Sequence, residues 1–365
     1  MKRLFATVGL LCACGSGVIS AQAAGFANND FSASGLGASN AMVAGVADVT
    51  AASYNPAAIA WLDSGVHVEG GFASRGRNSS VKLPSGAIQP NKGSAKNATS
   101  FHLAWMPHDS NIGVSLASSK PFSNNTVWGN ERTFIKSDRI SVDLIYALSS
   151  TLAVAHGVDI YRTTITMAQA GASFYGKDKA SFGVNVGVNW KPAPLWKVGM
   201  MLRSGTKAKV KFANQQVSLK LPEQITLGVS HDTADTFRLE ADIAYERWSR
   251  IKNLDVRGGV IRHAVDLKDT LALKTGVTWY WLPDTTFRFG YAYEQGANRA
   301  SAFQQAIADQ SGHRLSLGAG GEMFGAHVDL AYAYTFHAQQ SVTAPVAGKY
   351  RDRKQALMLS LSKAF

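Results

Sequence analysis

The chain has 365 residues and a formal net charge of +12, with 17% charged and 46% hydrophobic residues. No run of about 18 apolar residues follows residue 23, so no transmembrane helix is predicted after that point. Length alone leaves a soluble protein of several domains open, and the periodicity of the sequence has to decide.

Residues 1–23 are expected to be a secretory signal peptide. Two basic residues precede an apolar run that ends at Leu11, and the small-residue sequence Ala-Gln-Ala ends at Ala23, which is the order of a signal peptide and its cleavage site. A lipoprotein cleaved before Cys14 is the alternative. Under the first interpretation the mature chain starts at Ala24 and has lost Cys12 and Cys14, so it has no disulfide, cysteine nucleophile or thiolate metal site.

Residues 24–63 are predicted to form a compact plug. Ala, Gly, Ser and Asn dominate the segment, and its only charges are Asp30, Asp48 and Asp63. Small side chains suit a confined space, and the segment follows neither a strand nor a helix period. Because the rest of the chain is basic, lumenal Arg and Lys are expected to hold this acidic insert. A flexible leader is the alternative, but residues such as Phe31 need a place to be buried.

Residues 64–365 are predicted to form a transmembrane β-barrel. Apolar and polar residues alternate, as side chains on the two faces of a strand do. In the clearest segment one face is apolar and the other charged, and the apolar members are Phe237, Leu239, Ala241, Ile243 and Tyr245. About fourteen such segments, joined by connections that alternate between short and long, indicate an all-β, antiparallel outer-membrane barrel.

A secreted β-sandwich is the alternative fold, since its strands also alternate. Here, however, aromatic residues such as Trp105, Trp190 and Trp248 gather near strand ends, which suits the interface of a bilayer. The last strand ends in Phe365, which resembles the recognition signal read by the barrel-assembly machinery. Lys363 departs from that signal, because its position is usually apolar.

Several motifs resemble those of the outer-membrane long-chain fatty acid transporter family, which also includes aromatic-hydrocarbon uptake proteins. They are Gly25-Phe26, the segment Phe31–Gly37, the segment Tyr54–Ala58, Leu221-Pro222-Glu223, the segment Tyr245–Ser249 and the segment Thr286–Gly290. The first three resemble that family's N-terminal hatch, so the resemblance implies a hatch whose gate residues are Phe26, Phe31, Asn55, Pro56 and Ala57. It also implies capture at an extracellular apolar groove, transfer to a pocket beside the hatch, and lateral exit near the third strand, Asn111 to Phe122.

A cationic ladder is predicted on one wall of the lumen. The segment from Trp196 to Phe212 is interpreted as a single strand whose apolar residues face outward. The opposite face would then carry Lys197, Arg203, Lys207, Lys209 and Lys211. With the lumen-facing Arg238, Lys274 and Arg288, the ladder is hypothesised to hold an anionic head group such as a carboxylate. Binding of lipopolysaccharide phosphates or of the plug's aspartates is the alternative.

Two apolar loops are predicted to capture a hydrophobic ligand. The connection from Ser119 to Lys136 carries more apolar residues than a solvated loop requires. A second lip is expected in the connection from Ser301 to Gln310. The candidate capture residues are Phe122, Trp128, Phe134, Ile135, Phe303 and Ile307. Ordinary loop packing explains each of them separately.

The predicted function is passive, hatch-gated uptake of long-chain fatty acids or related hydrophobic compounds, and no energy-coupling motif is recognised. A general diffusion porin and a structural or adhesive barrel are the alternatives. The nine histidines show no metal-ligand spacing such as H-x-x-x-H, so we expect no enzyme, cofactor or metal. The expected partners are the hydrophobic substrate, outer-membrane lipid with lipopolysaccharide, and the assembly machinery through Phe365. We expect no nucleic acid, and a monomer in the bacterial outer membrane.

Overall fold

The computed structural model describes residues 25–233, 236–252, 254, 256, 261, 265–299, 303–307, 309–343 and 346–365. The predicted signal peptide (1–23) and the predicted mature N-terminus Ala24 lie outside the described residues. Within these ranges, no helix is long and apolar enough to cross a membrane.

The described part of the chain forms one antiparallel sheet of eighteen strands. The strands are β1 (Gly65–Lys82), β2 (Ile88–Pro90), β3 (Ala98–Met106), β4 (Ile112–Trp128), β5 (Glu131–Ala147), β6 (Leu152–Gln169), β7 (Ala172–Ala193), β8 (Trp196–Arg203), β9 (Lys207–Phe212), β10 (Gln215–Lys220), β11 (Gln224–Thr233), β12 (Phe237–Glu246), β13 (Thr270–Leu282), β14 (Thr285–Glu294), β15 (Gly312–Met323), β16 (Ala326–His337), β17 (Gln340–Val342) and β18 (Gly348–Ala364).

The sheet closes into a barrel because β1 pairs with β18 as well as with β3. Strands β2 and β17 are short additions, and β9 and β10 form a hairpin above the wall. The remaining strands form the closed ring β1, β3, β4, β5, β6, β7, β8, β11, β12, β13, β14, β15, β16 and β18. The prediction of a fourteen-stranded antiparallel barrel is confirmed.

The outward face of the wall is apolar and the inward face is polar. On β7, Phe182, Val184 and Val186 are exposed, whereas Asn185 and Asn189 are buried. A sandwich would bury the apolar face instead, so that alternative is wrong. The exposed apolar band is the surface that contacts lipid.

The short connections lie at one rim of the barrel, together with the start of β1 and the end of β18. The tight turns include 148–151, 194–195, 283–284 and 324–325, and short turns are typical of the periplasmic side. At the opposite, extracellular rim, the predicted long connection from Ser119 to Lys136 is wrong. There β4 and β5 continue as a hairpin with a turn at 129–130.

Residues 25–62, called here the N-terminal segment, fill the lumen. They contain α1 (Ala33–Gly37), α2 (Ala51–Tyr54) and a 3-10 helix (Pro56–Trp61). The Ser32 side chain caps α1 by accepting a hydrogen bond from the Gly35 amide. A side chain on Gly35 would collide with the Tyr54 hydroxyl, so close packing inside the segment requires glycine there.

Candidate functional site in the barrel lumen

Two carboxylates of β12 hold four consecutive backbone amides of the N-terminal segment. Asp242 Oδ2 accepts from the amides of Met42 and Val43, at 2.9 and 3.1 Å. Glu240 Oε1 accepts from the next two amides, 44 and 45, each at 2.8 Å. Both carboxylates are buried. Four hydrogen bonds from adjacent backbone amides to two buried carboxyl groups anchor the segment to the wall.

A nearby part of the wall, β7, holds the segment through asparagines. Asn55 Nδ2 donates to the carbonyls of Val43 and of Val188 in β7, at 2.8 and 2.9 Å. Its Oδ1 accepts from the Ala57 amide and caps the helix that starts at Pro56. Asn189 of β7 accepts from the Trp61 indole at 2.9 Å. The Asn-Pro-Ala motif therefore both starts a helix and fastens it to β7.

An ion-pair cluster attaches Asp30 to the extracellular half of the wall. Arg314 Nη1 lies 2.6 Å from Asp30 Oδ1, and Arg75 Nε lies 3.9 Å from Oδ2. Burial raises the pKa of Asp30. The two guanidinium groups and a hydrogen bond from Asn40 lower it by more than burial raises it, so the pKa lies below its ordinary value. The predicted holding of the segment by basic residues is confirmed for Asp30, whereas Asp48 is bonded within the segment.

The start of the segment pairs with the upper edge of β4. The Asn28 amide donates to the Pro121 carbonyl at 2.7 Å, and the Ser123 amide donates to the Phe26 carbonyl at 2.9 Å. Phe26 packs edge-on against Phe122 and Trp248. Beyond Ser118, β4 no longer pairs with β3, so residues 26–28 occupy its free edge.

Of the predicted lumenal cations, Arg203 and Arg238 point inward and bind the segment. Arg203 forms an ion pair with Asp159 at 2.7 Å and donates to the Ser53 carbonyl at 3.1 Å. Arg238 donates to Asp232 and to the Gly45 carbonyl, each at 2.6 Å. Their positions agree with the prediction, but their donors are already engaged by the protein.

Lys274 and Arg288 also face the lumen. Lys274 is buried and lies directly opposite Asp242 on the neighbouring strand. Arg288 donates to Asp329 and lines a periplasmic cavity of about 620 Å³ below the segment. Lys197, at the same rim, is bound to Asp232 at 3.4 Å.

The predicted lumenal position of Lys207, Lys209 and Lys211 is wrong. The strand interpreted as continuous from Trp196 to Phe212 is interrupted at 204–206, between β8 and β9. The inward face after this break carries Ala208 and Val210, which are fully buried, and the three lysines are exposed on the outer side. They do not face the lumen.

The predicted capture residues are mostly buried rather than presented to solvent. One apolar cluster around Phe26 and Trp248 contains Phe122, Ile135 and Ile307. A second contains Trp128 and Phe303 with Tyr350. Phe134 lies on the other face of β5 and is half-buried. These residues form the packing that closes the extracellular end, so the expectation of two open apolar lips is wrong.

Arg139 is a lumenal residue that is absent from the predicted binding site. It belongs to a polar inward row on β5 with Ser137, Ser141 and Asp143, and this alternation is the sequence signal that marks it. Its side chain is 1% exposed, and its Nε and Nη2 have no hydrogen-bond partner among the described residues. It lies over the Phe31 ring, 5.1 Å from the centroid.

A cavity of about 50 Å³ lies between Arg139 and the N-terminal segment. Its wall combines apolar side chains, such as Phe31 and Met201, with the cations Arg203 and Lys274 and the carboxyl groups of Asp242 and Glu246. A buried guanidinium with free N–H groups beside apolar surface fits a carboxylate joined to an apolar chain. Within the described ranges, no group of three or more His, Cys, Asp or Glu is placed to hold a metal ion.

Residues 158–362 match the family of outer membrane protein transport proteins (OMPP1/FadL/TodX). The protein belongs to this family. Members of the FadL/TodX family are outer-membrane transport proteins rather than enzymes. This chain, whose strands close into a barrel, is therefore an outer-membrane β-barrel. No curated protein sequence matches it.

Solved structures of the FadL/TodX family share the fold at low sequence identity. A Pseudomonas aeruginosa FadL homologue superimposes with a TM-score of 0.80 and 17% identity, covering 93% of this chain and 100% of that one. The P. putida toluene transporter TodX gives 0.69 and 14%, covering 90% and 98%. The Ralstonia pickettii toluene transporter TbuX gives 0.65 and 15%, with the same coverages. The outer-membrane transport fold predicted from the sequence is confirmed.

Proposed function

We propose that the protein takes up long-chain fatty acids or related hydrophobic compounds by passive diffusion, gated by the N-terminal segment acting as a hatch. The observation that carries this proposal is the filled lumen. The segment is buried and is fastened to β7 and β12 and, on the far side of the ring, to β15. A general diffusion porin needs an open aqueous channel, so this arrangement favours selective, gated passage.

The exit we propose is lateral, beside β4, the third strand of the ring. Its register shifts between Ser119 and Phe122, where Pro121 interrupts the ladder. Residues 26–28 cover this edge, so movement of the hatch would free it. Opening the gate and opening the wall would then be one event, and a hydrophobic ligand would leave sideways at the outer edge of the lipid-facing band.

The buried Arg139 favours a ligand with an anionic head. Burying a charged group with unmade hydrogen bonds is unfavourable, and a carboxylate would supply two acceptors. The cavity is small in the closed state, so the ligand requires displacement of Phe31 and its neighbours. Solved relatives named as toluene transporters make aromatic hydrocarbons the second substrate class to test.

Uptake by cells tests the proposed function directly. The protein is expressed in a Gram-negative strain that lacks its own fatty acid transporter, and accumulation of radiolabelled oleate and of toluene is measured. We expect oleate accumulation above that of the empty vector. Accumulation of neither compound would contradict the uptake proposal.

Replacing Arg139 with glutamine is expected to weaken oleate binding by about tenfold, because hydrogen bonds to a charged group contribute about 1.5–3 kcal/mol. Binding of toluene, which has no carboxylate, should change by less than about twofold. Fluorescent fatty acid titration of the purified barrel measures the effect. R139K should recover part of the affinity, and R162Q, an outward-facing arginine on β6, is the matched control. Unchanged oleate affinity in R139Q would contradict the head-group assignment.

A further inference from the structure

A cluster of lysines lies on the outward face of the barrel at its extracellular rim. It spans β5, β7 and the hairpin of β9 and β10, and we call it the outer basic patch. Its members are Lys136, Lys177, Lys207, Lys209, Lys211 and Lys220. All are exposed except Lys136, which is half-buried.

The hairpin holds its lysines in a fixed orientation. On its inner face, Ala208 and Val210 of β9 and Val217 and Leu219 of β10 are fully buried. They belong to the same apolar cluster as Trp248. Because side chains alternate along a strand, burying this face commits the lysines to the outside.

The patch concentrates positive charge that the protein does not neutralise. Lys177 of β7 pairs directly with Lys211, and Lys207 pairs directly with Lys220. Like charges directly opposite each other destabilise a sheet. Lys136 binds Asp138 at 2.8 Å, but the other five members have no ion pair among the described residues. Anions from outside the chain would therefore stabilise the patch.

The patch begins where the lipid-facing band ends. On the outward face of β7, the exposed Val184 and Phe182 are followed towards the extracellular rim by Lys179 and Lys177. Lys179 lies three residues from Phe182, about 10 Å along the strand. The lysines thus lie at and just above the level of the outer-leaflet head groups.

We propose that the outer basic patch binds the phosphate groups of lipopolysaccharide in the outer leaflet. Basic clusters next to the hydrocarbon layer attract phosphorylated head groups, and ammonium groups donate charge-assisted hydrogen bonds to phosphate oxygens. The glycolipid fits better than a free anion for a geometric reason. Its acyl chains lie against the apolar band while its phosphorylated sugars reach the hairpin above.

The test compares wild type with the triple variant K177Q/K209Q/K211Q, both purified and placed in nanodiscs. Binding of lipid A is measured with both phosphates present and after dephosphorylation. We expect the variant to bind phosphorylated lipid A at least about tenfold more weakly. Wild-type binding should fall to the same level once the phosphates are removed. Heat-modifiable migration of the folded barrel confirms that the variant has assembled.

The matched control is K82Q/K92Q/K349Q, which removes the same charge from the far side of the extracellular rim. It should retain wild-type affinity, and oleate uptake should be unchanged in both variants because none of these lysines faces the lumen. Equal loss in the control would overturn the patch as the site. So would wild-type binding that survives dephosphorylation, or equal affinity for phosphatidylglycerol or inorganic phosphate.

Discussion

Replacing Glu240 and Asp242 together with alanine is expected to turn a closed barrel into a conducting one. These carboxylates accept four amide hydrogen bonds from residues 42–45 of the N-terminal segment. Each buried amide left without a partner costs about 1–3 kcal/mol, so docking weakens by about 4 kcal/mol or more. That difference shifts a two-state equilibrium about a thousandfold. Single-channel recording in planar bilayers should give conductance near zero for wild type and frequent openings for the variant.

Two further variants separate loss of the anchor from damage to the barrel. E240Q/D242N keeps an acceptor oxygen at each position and should open less often than the alanine variant. L239A/I243A alters the outward face of the same strand, away from the segment, and should stay closed. A closed E240A/D242A barrel would mean that the other contacts hold the segment without these carboxylates.

The strand count was predictable because a strand in lipid has only two environments, which alternate. Within the bilayer the outward side of β5 takes Val142 and Leu144, and the inward side takes Ser141 and Asp143. This contrast repeats in every membrane-spanning strand, so alternation alone located all of them. On β12 the same alternation places Glu240 and Asp242 inside the barrel and Ile243 outside.

Above the bilayer the alternation is reversed, with apolar residues inside and polar residues outside. This reversal explains the two main errors, which concern the lysines of β9 and the hairpin of β4 and β5. Outside lipid the outer face meets water, so apolar residues turn inward, as Ile135 does while Lys136 faces out. Applying the membrane parity to β9 put Ala208 outside and Lys209 inside, the reverse of the structure. The extracellular hairpin of β4 and β5 departs from the membrane pattern for the same reason, and its sequence therefore predicts a loop.

The contacts of the N-terminal segment could not be predicted from its sequence. Its strongest anchors are backbone amides 42–45, which carry no side-chain signature. Of the three aspartates that the charge argument names, Asp30 reaches Arg314, whereas Asp48 is bonded within the segment. Which carboxylate meets which amide depends on how the segment folds inside the closed ring, a long-range property.

A disulfide between residues 39 and 316 is expected to stop uptake reversibly. The hydroxyl oxygens of Ser39, in the segment, and Ser316, on β15, lie 2.7 Å apart, so cysteine sulfurs at these two positions come within reach of the S–S bond length of about 2.05 Å. If the segment must move for a ligand to pass, oxidised S39C/S316C should accumulate oleate at least about tenfold more slowly than wild type. Reduction should restore the rate, because it leaves two side chains close in size to serine.

The control disulfide joins Ser137 to Thr163, whose hydroxyls lie 3.1 Å apart on β5 and β6. It crosslinks wall to wall, is equally buried and leaves the segment free, so oxidised S137C/T163C should transport at the wild-type rate. Cys12 and Cys14, both in the predicted signal peptide, are the only native cysteines, which limits competing crosslinks. Normal transport by the oxidised S39C/S316C barrel would contradict movement at this point of the segment. Binding of the head group by Arg139 would then have to be judged separately, from the oleate affinity of R139Q.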